Sequence, residues 1–149
     1  MPREMFVHAT SVAMKAGRRW SAVLLRGPSG SGKSDLALRL LEDGARLIAD
    51  DQTHLAKKGH ALIASPPPAL AGMIEVRGLG IVKLPRARLM AAAPLALLVD
   101  LVRAEEVERM PEPAHETVQD VELPRLAVAP FEASAVAKLR LALARIAAA

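Results

Sequence analysis

"LLRGPSGSGKSDLALRLLEDG", from Leu24 to Gly44, contains the pattern G-x-x-x-x-G-K-[ST] without a gap. The pattern comprises Gly27, Pro28, Ser29, Gly30, Ser31, Gly32, Lys33 and Ser34. Each part has a physical use. The glycines let backbone N–H groups turn inward toward phosphate oxygens without a Cβ in the way. Lys33 supplies a compact charge for β and γ phosphates, and Ser34 a hydroxyl for Mg²⁺. The flanks fit. Ser21 to Arg26, "SAVLLR", reads as a short buried strand closed by Gly27. Ser34 to Asp43 reads as a helix with Leu36, Ala37 and Leu40 on one face and Gly44 as its stop. The positive end of that helix points at the same spot. A glycine-serine turn with an incidental lysine is the plain alternative, and the strand–loop–helix context weighs against it. Nucleotide or phosphate binding on an α/β frame is expected.

Further along, "ARLIAD" (Ala45 to Asp50) reads as a second apolar strand, and "THLAKKGHALIA" as a hairpin turning at Lys58-Gly59. Three successive prolines make "SPPPALAG" a loop. "MIEVRG" and "GIVKL" read as short strands around a glycine-rich turn, and "LALLVDLV" as another buried strand. Met110 to Glu116 reads as a polar, proline-interrupted segment. "TVQDVEL" and "RLAVA" read as edge strands. Ala133 to Ala147 reads as a helix whose apolar stripe is Val136, Leu139, Leu143 and Ile146.

The 149 residues suit one domain, and 52% hydrophobic content supports a core at this length. Aromatics are 2%, too few for nucleic-acid recognition by base stacking. The net charge of +4, with 14 Arg and 6 Lys, suits an anionic ligand or acidic partner and is no dense basic tail. Without Cys there is no disulfide or thiolate zinc site. The N-terminal stretch lacks the apolar core of a signal peptide. The longest apolar run, Ala91 to Val99, is interrupted by Pro94 and is roughly half of the ~18 residues a membrane span needs. A soluble cytoplasmic protein, with no membrane or nucleic-acid partner, is expected.

Candidate chemistry beyond the loop is acidic. "LIADDQ" ends a strand with Asp50 and Asp51, and neighbours on a strand point to opposite faces. While the chain stays extended, one of the two can face the phosphate loop. It would act there as a base or a metal-shell carboxylate. An ordinary strand exit is the alternative. Asp100, ending the apolar "LALLVD", is a competing acid of Walker B form. In "MIEVRGLGIV", Glu75 and Arg77 share a face. They are equally readable as metal ligand and phosphoryl-charge stabiliser or as an ion pair beside a bulge. His8 sits alone in "MFVHATSVA", a setting in which histidine is usually structural.

Together, His8, "GPSGSGKSD", "RLIADD" and "IEVRGLGI" resemble the catalytic domain of the HPr kinase/phosphorylase family in order and spacing, over about residues 6 to 84. The resemblance implies a P-loop α/β fold with a phosphoenolpyruvate-carboxykinase-like mixed sheet and flanking helices, as a single catalytic domain over residues 1–149. It implies ATP-dependent phosphorylation of a serine of HPr, a phosphocarrier of the sugar phosphotransferase system, with Mg²⁺ and hexameric assembly. Many members of the family also reverse the reaction with inorganic phosphate. It assigns His8, Lys33, Asp50 and Arg77 to catalysis, with Asp50 as base, and Ser34 and Glu75 to the metal. It also favours Asp50 over Asp100.

There are departures. Asp35 stands where Glu is usual, and His8-Ala9 stands for "HG". The family's C-terminal "PGRN"-type motif, with its catalytic Arg, is not supplied by "RLAVAPFEASA", and the chain has no Asn. The likeness is to the short proteobacterial form, and the missing Arg argues against the phosphorylase direction. The rival readings are a small-molecule kinase using Asp100 and a nucleotide sensor that does no chemistry.

Overall fold

The computed structural model describes residues 4–149. Among the described residues, eleven strands and two α-helices, with three short 3-10 turns, are arranged as one mixed nine-stranded sheet, a separate hairpin, and α-helices packed on the sheet. The strands are β1 (Glu4–Val7), β2 (Ala9–Ala16), β3 (Arg19–Arg26), β4 (Arg46–Ala49), β5 (Thr53–Lys58), β6 (Ala61–Ser65), β7 (Met73–Val76), β8 (Gly80–Lys83), β9 (Ala93–Leu101), β10 (Ala114–Val118) and β11 (Val121–Val128). The helices are α1 (Lys33–Glu42) and α2 (Ala135–Ala148). The main sheet runs β1-β5-β6-β9-β3-β2-β4, and β11 joins β9 with β10 outside it. The β7–β8 hairpin stands apart as a two-stranded unit.

Strand β9 is the hub. Its first residues pair antiparallel with β6, its middle pairs parallel with β3, and its end pairs parallel with β11. Alternation along β3 builds two cores. Val23 and Leu25 face α1 and α2 with Val12, Leu36, Leu40, Leu97, Val99, Leu139 and Leu143. Ala22 and Leu24 face the other side with Ile48, Leu55, Leu62, Leu98 and Leu123. A strand buried on both faces reads as a continuous apolar run, which is why β3 and β9 are visible in the sequence.

Helix α1 ends as expected. Gly44 takes φ +104, and the N–H groups of Gly44 and Ala45 return to the carbonyls of Leu41 and Leu40. The α2 stripe packs inward: Leu139 and Leu143 are buried and Val136 and Ile146 lie against the same cluster.

Three segments differ from the sequence reading. "TVQDVEL" is not one strand. Gln119 and Asp120, at φ 47 and 67, make a two-residue turn between β10 and β11. The polar segment to Glu116 is strand from Ala114 onward. The stretch from Glu4 to Ala16, which the sequence reading left without an element, forms β1 and β2. Ala9 to Met14 are all buried, so β2 shows no period-two signal.

Candidate functional site

The glycine-rich loop leaves the carboxyl end of β3 beside the carboxyl end of its parallel neighbour β9, the usual location of ligand crevices in α/β sheets. Its exit point is held by charge. Arg26 donates Nε and Nη2 to Asp100 at 2.9 and 3.2 Å, and Nη1 and Nη2 to Glu116 at 2.8 and 2.9 Å. The Glu116 bond, opposed by burial and aided by Asp100, raises the guanidinium further above its ordinary range. Its bond to Arg26 holds the Glu116 carboxyl below the usual carboxylate value. Asp100, the competing acid, is thus taken by Arg26.

Within the loop, Gly27 sits close against Ser31, whose hydroxyl would have to rotate to admit a Cβ. The position a Gly27 Cβ would occupy lies 2.4 Å from Ser31 Oγ. Gly32 is required by conformation, with φ +100 at the start of α1. Lys33 is 6% exposed and folds back to donate Nζ to the carbonyls of Gly27 at 2.6 Å and Pro28 at 3.0 Å. An ammonium has three protons, so one remains.

Ser29, Gly30, Gly32, Lys33, Ser34, Asp51, Glu75 and Arg77 line one cleft of about 610 Å³. Behind it lies Asp50, 8% exposed. Its Oδ1 accepts the hydroxyls of Ser34 at 2.7 Å and Thr10 at 3.0 Å, and its Oδ2 accepts the Glu75 N–H at 2.9 Å. One carboxylate therefore joins α1, β2 and β7. About four lone-pair positions are available on a carboxylate, so about one is left on Asp50.

Asp50 faces the loop, as the strand argument requires of one member of the pair. The chain does not stay extended beyond it. Asp51 adopts φ 67, its N–H bonds Thr10 Oγ1 at 3.1 Å, and its carboxylate also lines the cleft. His8 meets Asp51, Nδ1 to Oδ1 at 3.6 Å, and not Asp50. Among the described residues no ion pair joins Glu75 to Arg77, and both line the cleft.

Sequence reasoning missed Thr10 and Phe131. Thr10 is fully buried on β2 and carried no local signal. Phe131 lines the cleft from the segment between β11 and α2, almost a hundred positions from Gly32, and its signal was an aromatic where "PGRN" is expected.

Comparisons with known proteins bear on the family and the fold of the chain. The profile described as HPr Serine kinase C-terminal domain matches residues 6–145. HPr kinase/phosphorylase of Clostridium tetani is 48% identical over 63 residues, 42% of this chain and 21% of that protein. HPr kinase/phosphorylase of Mycoplasma mycoides is 36% identical over 90 residues, 58% of this chain and 29% of that protein. The matched stretches thus span under a third of these relatives' length. The solved structure of the Hpr(Ser) kinase/phosphatase from Coxiella burnetii superposes with a TM-score of 0.76 at 24% identity, covering 97% of this chain and 94% of that one. At that identity the likeness speaks for the fold.

Proposed function

This chain belongs to the HPr serine kinase C-terminal domain family, and on that footing we propose that it transfers the γ-phosphoryl group of ATP to a serine of an HPr-type phosphocarrier. The observation that carries the reading is the Ser34–Asp50–Glu75 constellation under the glycine-rich loop, held by contacts of 2.7 and 2.9 Å. On this reading the loop is a P-loop, the sheet is of the phosphoenolpyruvate-carboxykinase-like kind, and residues 1–149 work as one catalytic domain.

The chemistry follows from the groups present. The serine oxygen attacks the γ-phosphorus, the bond from that phosphorus to the β–γ bridging oxygen breaks, and ADP leaves. The serine proton goes to Asp50, which keeps about one acceptor position for it. Lys33 turns from the carbonyls of its own loop toward the β and γ phosphates. Arg77 stabilises charge on the transferring group, and His8 holds Asp51 at the rim. The donors also suit magnesium: Ser34 and Glu75 offer hard oxygens, and a hydroxyl that donates to Asp50 keeps lone pairs for a metal. When bound, Mg²⁺ would draw charge from the phosphates. Positioning and electrostatics are the main demands of such transfer.

A second assignment of the base rests on one observation. Asp51 is exposed in the cleft, whereas Asp50 is buried with three of its acceptor positions filled. In that case Asp50 orients Ser34 and Asp51 takes the proton.

Among the described residues no helix is long and apolar enough to cross a membrane, and we place the activity in the cytoplasm. Assembly as a homo-oligomer, a hexamer by family likeness, would have to use surfaces other than the α2 stripe, which is packed inside. The phosphorylase direction is expected to be weak for want of the C-terminal arginine motif. Incubation with γ-labelled ATP, with and without HPr, tests the reading. Label on HPr serine supports it, label on a small molecule supports the alternative kinase, and tight ATP binding with no transfer supports a sensor.

A further inference from the structure

An exposed aromatic ring stands beside the glycine-rich loop. Phe131 is 70% exposed, one of two Phe in the chain, and lines the cleft with Leu38 and Val76. Its ring carbons lie 2.9 and 3.2 Å from where a Cβ on Gly32 would stand, so the ring sits directly against the loop. The backbone that carries it is held. Arg39 donates to the Pro130 carbonyl and is itself paired with Asp35 at 3.1 Å. Glu132 N–H donates to Ala129 O at 3.3 Å, and Lys138 Nζ reaches the Glu132 carboxylate at 3.3 Å. A large apolar side chain fixed in water at the mouth of a polar cleft leaves burial unused.

The groups suited to phosphate and acceptor arrive from elsewhere. Asp50 and Asp51 come from the end of β4, and Glu75 and Arg77 from β7 and the turn after it. Only the β11–α2 segment brings an aromatic face to the cleft among the described residues. We propose that Phe131 is the shelf on which the base of the nucleotide stacks, an inference that rests on the site being a nucleotide site. The stack would be tolerant of base identity, because every base presents a π face. The segment that lacks the expected arginine motif would then serve binding of the donor.

Titration calorimetry in the presence of Mg²⁺ tests this with ATP, GTP and inorganic tripolyphosphate, which has the phosphates and no base. The proteins are wild type, Phe131→Ala and Phe131→Trp, with folding checked by circular dichroism. Phe131→Ala is expected to weaken ATP and GTP alike by about 5- to 150-fold, the range for loss of one base stack. Tripolyphosphate affinity should change by no more than about twofold, and Phe131→Trp should restore ATP binding. Equal losses for ATP and tripolyphosphate would overturn the shelf and leave Phe131 as a buttress of Gly32. Unchanged ATP affinity with a raised KM for HPr would overturn it in favour of an acceptor contact. If wild type binds neither ATP nor tripolyphosphate, the nucleotide reading itself fails and the shelf with it.

Discussion

Replacing Asp50 by Asn puts the constellation under direct strain. The wild-type carboxylate accepts three hydrogen bonds, from Ser34, Thr10 and the Glu75 N–H, in a nearly buried position. Asn has one oxygen and one NH₂. If the oxygen keeps the two hydroxyls, the NH₂ faces the Glu75 N–H, donor against donor. If the amide flips, the oxygen keeps Glu75, and both hydroxyls must rotate to accept. Thr10 Oγ1 already accepts the Asp51 N–H. Either way charge-assisted bonds become neutral ones or are lost. At roughly 1 kcal/mol of difference per bond, less the relief of a buried charge, the cost is about 1–3 kcal/mol. For a domain of this size that lowers Tm by about 3–10 °C. Loss of the base lowers transfer by a further factor of about 10²–10⁴. ATP affinity should be equal or slightly better, since a negative charge near the γ-phosphate has gone. Thermal melts and single-turnover phosphorylation of HPr, run beside Asp51→Asn, separate the effects. A lowered Tm with near-normal transfer in Asp50→Asn, and a dead Asp51→Asn, would refute Asp50 as base. An unchanged Tm would refute the hydrogen-bond accounting.

Lys33→Ala should fold like wild type and lose phosphoryl transfer, because the side chain bonds its own loop and not the core; turnover near wild type in the same assay ends the P-loop reading. Leu139→Ala should cost about 2–5 kcal/mol, since Leu139 is fully buried between α2 and the sheet, and urea unfolding will read it. The Glu116 carboxyl has a folded pKa below its ordinary 4.5, so its contribution to stability is complete above that value and is lost as pH falls through the folded one. Glu116→Gln should therefore melt lower than wild type at neutral pH and show a shallower fall of Tm on acidification. Light scattering that gives a 15.8 kDa monomer at micromolar concentration would reject the hexamer.

What the sequence made legible was local. The glycine-rich loop, its strand and its helix lie within about twenty consecutive residues, and glycine spacing alone marks them. The α2 stripe and the Gly44 stop are likewise short-range patterns. The pairing of Ser34 with Asp50 was not readable, because it depends on β4 lying beside α1. The bend at Asp51 defeated the face argument, since a left-handed residue ends the alternation on which it rests. The Gln119-Asp120 turn carries no Gly, and β2 is buried on both faces from Ala9 to Met14, so neither left a pattern to read. Phe131 could be seen as a departure from the family motif, but its approach to Gly32 is a product of the fold. Arg26 was legible only as the last residue of a buried strand, and its grip on Asp100 and Glu116 was not.

The most direct measurement of the central claim is residue-resolved mass spectrometry of purified HPr after incubation with Mg²⁺ and ATP, with wild type and Lys33→Ala in parallel. The account predicts a phosphate on a serine of HPr with wild type and none with the variant. Unmodified HPr in both, with ATP bound by wild type, would contradict it.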